Sequence, residues 1–93
     1  MPVFMIVPTE DADRLVRVVS ASFTETERFI LPGNHACFVK FGGTSAELAD
    51  RLDLPGNKNK DDRPCPAVIT TVTTYGGFAP TALWEWLKVK MGE

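Results

Sequence analysis

The chain holds a single histidine, His35, two residues before Cys37, one of only two cysteines. A thiol beside an imidazole is the basic unit of cysteine nucleophiles, and both side chains are zinc ligands. Neither chemistry is completed. A zinc site takes about four ligands in recognisable pairs, and His-x-Cys with the distant Cys65 is an incomplete set. On one strand face, His35 and Cys37 carry Cβ atoms about 7 Å apart, with no evident third group. Glu10, Asp11 and Asp13 follow the first apolar run, and Gly42, Gly43, Thr44 and Ser45 follow the third. These two strand ends are expected to lie side by side and to bring two helix N-termini together, a physical basis for anion binding. The carboxylates would repel such an anion, however, and the glycines lack the spacing and lysine of a phosphate-binding loop. No acidic partner on the third strand completes a divalent-metal site. No metal, no cofactor and no catalytic residue is assigned. Tyr75, just before Gly76-Gly77, is a candidate binding residue, although a tyrosine there commonly packs its ring and wets its hydroxyl.

Composition bounds what these residues can belong to. Ninety-three residues make one domain, 1–93, whose core supports a single sheet and a few helices. The formal charge of −2 lacks the basic footprint expected for nonspecific nucleic-acid binding. No apolar run reaches the ~18–20 residues of a membrane helix, so no membrane partner is expected. The N-terminus has no basic residue ahead of its short apolar run and no small-residue cleavage site, which argues against a secretory signal. Two cysteines are too few for a disulfide scaffold and read as free thiols of a cytoplasmic protein.

Patterning supplies the elements. Val3–Val7 is apolar on both faces and bounded by prolines, as a central strand is. Thr9 is the expected N-cap of an amphipathic helix carrying Leu15, Val16, Val19 and Phe23 at helical spacing. Pro32-Gly33-Asn34 turns a hairpin between strands at about 28–31 and 35–41. Thr44 and Glu47 form a capping box opening a short helix with Leu48 and Leu52 on its buried side. Residues 53–66, with Lys58, Lys60, Asp61, Asp62 and Arg63, read as a solvated, mobile loop. Val68–Thr74 is an unbroken β-branched run, predicting a strand over 67–75. Pro80 opens a final helix over about 80–91. The order predicts an α+β, ferredoxin-like βαββαβ fold: a four-stranded antiparallel sheet, strands one and three central, two helices on one face and an extra C-terminal helix.

That final helix carries Trp84 and Trp86. Stepping 100° per residue, its apolar arc is roughly 160° wide, whereas one packing contact needs only about 100°. The excess points to a second contact, and so to a homodimer. The fourth strand points the same way, because it lies at an edge without the charge or proline that blunts exposed edges. Trp84, Trp86, Val72 and Tyr75 are the expected interface residues. The other sheet face is expected to be open. If His35, Cys37, Val39 and Phe41 face the helices, Phe38 and Lys40 face outward, joined by Phe4 and Ile6, and such rings beside a lysine can stack bases.

Phe38-Val39-Lys40-Phe41 resembles the second half of the third-strand motif of RNA-recognition-motif domains, and Val3-Phe4-Met5 resembles the start of their first-strand motif. The motif's basic residue, glycine and first aromatic fall on Asn34, His35 and Ala36. The size and strand order also resemble ferredoxin-like proteins related to the CRISPR adaptation nuclease subunit, with Val7-Pro8 where that family has its aspartate. The Tyr-Gly…Trp-Glu-Trp block of residues 75–86 is similar to the C-terminus of a group of short uncharacterised bacterial proteins.

Three readings follow. The first is a non-enzymatic homodimeric module for protein interaction or small-ligand binding, its ligand unspecified. The second is a single-stranded nucleic-acid binder using Phe4, Phe38 and Lys40. The third is a small enzyme at a dimer cleft around His35, Cys37 or Tyr75.

Overall fold

The structure, a computed structural model, describes residues 1–58 and 63–92. Its elements are β1 (Val3–Pro8), α1 (Ala12–Ser22), β2 (Arg28–Ile30), a 3-10 turn at Pro32–Asn34, β3 (Cys37–Lys40), α2 (Ser45–Arg51), β4 (Ala67–Val72) and α3 (Thr81–Met91). The class is α+β. All pairings are antiparallel in one four-stranded sheet ordered β2-β3-β1-β4, so β1 and β3 are central and β2 and β4 are edges.

Register decides which side chains share a face. Phe4 lies opposite Val39 and Ile6 opposite Cys37, and these residues meet Leu15, Val19, Leu48 and Leu52 of α1 and α2. Val3 and Met5, opposite Lys40 and Phe38, belong to the reverse face, where Leu83 and Leu87 of α3 pack. The sheet therefore has helices on both sides, and the face expected to be open carries the C-terminal helix. Phe4 and Phe38 are on opposite faces, because β1 pairs with β3 one residue out of step with the alignment that would join them.

Several local expectations are corrected. Asp11, not Thr9, caps α1, its carboxylate accepting from Arg14 N–H at 3.2 Å, because Thr9 N–H is still engaged with Pro66 C=O at 3.0 Å. The capping box of α2 is as expected, with Glu47 N–H to Thr44 Oγ1 and Thr44 N–H to Glu47 Oε1 both 3.1 Å. The last strand stops at Val72 rather than residue 75, since β1 offers no partner beyond Val3. Glu10 and Asp11 do not meet Gly42–Ser45. β1 and β3 run in opposite directions, and Gly42 lies beside Met1 at the other end of the sheet. The 53–66 segment is anchored where it is described: Cys65 N–H reaches Leu54 C=O at 2.7 Å, and Lys58 Nζ is 2.9 Å from Asp50. Lys60, Asp61 and Asp62 lie outside the described residues. No helix of the described residues is long and apolar enough to cross a membrane.

Candidate functional site

A groove of about 350 Å³ lies between β4 and α3 on the α3 face. β1 supplies Met5 and β3 supplies Phe38. Thr70 and Val72 come from β4, Thr74 to Gly76 from the segment after it, and Leu83, Trp84 and Leu87 from α3. Alternation in the strands and the Leu83/Leu87 spacing in the helix aim these apolar side chains at one space. Among the described residues none that lines it is charged. The threonines, the Tyr75 hydroxyl and the Trp84 indole N–H are the polar side-chain groups among its described walls.

Two aromatic contacts hold α3 at its margins. Trp84 stacks on Tyr75, centroids 5.6 Å apart and planes 18° apart, forming one rim of the groove. Trp86 packs on Phe29 at 6.2 Å, and its indole N–H donates to Thr26 C=O at 3.3 Å on the opposite margin. Leu83 and Leu87 are buried between them. Both indoles thus touch their own chain, and the wide apolar arc of the helix is used across the full width of its seat. Of the expected interface residues, Val72, Tyr75 and Trp84 converge on the groove and Trp86 stands apart.

The expected base-stacking set is not brought together. Phe4 is buried among the α1/α2 core with its ring edge-on to Phe41 at 6.2 Å. Phe38, 7% exposed, lies beneath α3. Lys40 ends β3 and borders a separate cleft with Phe41, Glu47 and Arg51. In that cleft the Arg51 guanidinium sits 5.0 Å from the Phe23 ring centroid, a packing role for the cation.

His35 and Cys37 form no pair. The strand begins only at Cys37, leaving His35 exposed at the end of the 3-10 turn while Cys37 is fully buried. Burial, and secondarily the neighbouring Cys65 thiol, push the Cys37 pKa up from 9.0 to about 11. Burial raises Cys65 as well. Thiols held protonated in this way are poor nucleophiles near neutral pH. Among the described residues no three His, Cys, Asp or Glu side chains are grouped to hold a metal.

Sequence reading missed Met5, Thr70, Leu83 and Leu87 as groove walls, and it missed Phe78. The only local signal for Phe78 was an aromatic residue placed between Gly76-Gly77 and Ala79-Pro80. No family model matches the chain, and no curated protein sequence matches it.

Proposed function

We propose that this protein is a non-enzymatic, ferredoxin-like interaction module that associates with a second copy of itself through the β4 flank and the groove beside it. The observation that carries this is the unprotected edge. Among the described residues β4 pairs only with β1; it has neither charge nor proline from Ala67 to Val72, and Val68 is 57% exposed. Uncharged, unshielded edges favour pairing with other chains, and proteins ordinarily blunt them. The exposed apolar residues Val68, Tyr75 and Phe78 follow the same stretch of chain. Support for the ferredoxin-like label comes from central β1 and β3 with α1 and α2 on one face, α3 being an addition. Two free cysteines suit a cytoplasmic setting.

Sedimentation velocity over a micromolar dilution series tests the reading. A dimer that dissociates on dilution is expected, and a monomer at every concentration contradicts it.

A further inference from the structure

Phe78 is the most exposed large apolar residue of the described chain, with none of its ring sheltered. It follows Gly76 and Gly77, where a Cβ would meet nothing within 4 Å, and Gly77 has φ +118°, a conformation that favours glycine. The ring is thus held out on a short, open arm. Gly76 is itself part of the groove wall, whereas Phe78 is not. A projecting aromatic therefore stands two residues along the chain from the wall of an apolar recess.

We infer that Phe78 of each protomer inserts into the β4/α3 groove of a second copy, so that the dimer closes by a reciprocal exchange of aromatic side chains. This rests on the self-association reading and specifies its contact. Size permits it: a dry apolar cavity of about 150 Å³ is enough for benzene, and the groove measures about 350 Å³. Chemistry permits it too, because Met5, Phe38, Val72, Leu83 and Leu87 offer no charge to pair with an ionic ligand. Symmetry favours a closed pair over a filament. A self-complementary pair, in which the ring of each copy meets the groove of the other, closes under two-fold symmetry.

An aromatic side chain buries about 150–250 Å², so two inserted rings bury about 300–500 Å² of their own surface. A stable interface needs about 1,200–2,000 Å² in total, so the rings act as anchors and contact along the β4 flank, with exposed Val68 and Tyr75, has to supply most of the area.

The test uses the full chain with Trp86→Phe as background, so that emission reports Trp84 on the groove rim, together with sedimentation. Association should shift Trp84 emission to the blue as protein concentration rises. Phe78→Ala, at a site with no intramolecular packing to lose, should weaken dimerisation ~30-fold or more, the behaviour of an interface anchor. Thr70→Phe fills the groove from its own wall and should weaken it comparably. Mixing the two variants should restore partial association, since one intact ring and one intact groove remain to meet.

A dimer that Phe78→Ala leaves as tight as the parent overturns the ring exchange while the self-association reading stands. A parent protein that is monomeric throughout overturns both. A Trp84 shift that depends on Phe78 but not on concentration places the ring in its own groove and also overturns the exchange.

Discussion

On one side of the sheet, Phe4, Ile6, Cys37 and Val39 are sealed beneath α1 and α2; on the other, α3 alone covers Val3 and Phe38 and leaves a groove along β4. The difference follows from dimensions. Four strands place their outer axes about 14 Å apart, and a helix with its side chains is about 10–12 Å across. Two helices span that width and one does not. Trp86 ties α3 toward β2 through Phe29 and Thr26, so the shortfall falls at β4, where Trp84 and Tyr75 stand as a rim. The sealed face is filled across its width, and the other keeps a buried cluster under α3 with a groove beside it.

Core truncation on each face should give the largest contrast. Leu15→Ala, in the sealed core, is expected to cost about 3–5 kcal/mol, and Leu87→Ala, beside an existing space into which neighbours relax, about 2–3 kcal/mol. Denaturant unfolding measures both, and equal losses would remove the distinction between the faces.

An effect of about 2–3 kcal/mol is expected from pH at the sealed face. The folded-state pKa of Cys37 is raised from 9.0 to about 11, so the folded protein keeps a proton that the unfolded chain releases. Its contribution is fully present below pH 9 and is lost as pH rises through about 11, with Cys65 acting in the same direction. Stability measured across that window should fall, and Cys37→Ala should flatten the slope. An unchanged slope in that variant would show that the sealed face is wetter than its packing indicates.

The smallest effect concerns the rim. Tyr75→Ala removes the stack on Trp84 and should cost about 1 kcal/mol while moving Trp84 emission to the red. A loss as large as that of a core leucine would mean that the rim is part of the core.

How much of this was written in the sequence differs between the same two regions. The apolar spacing of Leu15, Val19 and Phe23 and the Thr44–Glu47 box identified α1 and α2 directly, because helix periodicity and capping are local. Placing Phe4 beside Phe38 failed for a physical reason. Val3–Val7 is apolar on both faces and carries no mark of which side faces which helices, and a one-residue shift in register exchanges the faces. The β-branched run to Thr74 overstated β4, since strand length is set by the partner and β1 ends at Val3. Trp84 and Trp86 stand at opposite margins of α3, but both pack on their own chain, so the width of its apolar arc is no argument for a second contact. The groove between Trp84 and β4 was not legible, because its walls come from β1, β3, β4 and α3 and exist only once register is set.

Amide hydrogen exchange of residues 67–78, compared at low and high protein concentration, tests most directly whether the unfinished face is where a second copy binds. Protection in this segment should rise with concentration while that of α1 stays constant. Identical exchange at both concentrations would contradict the account.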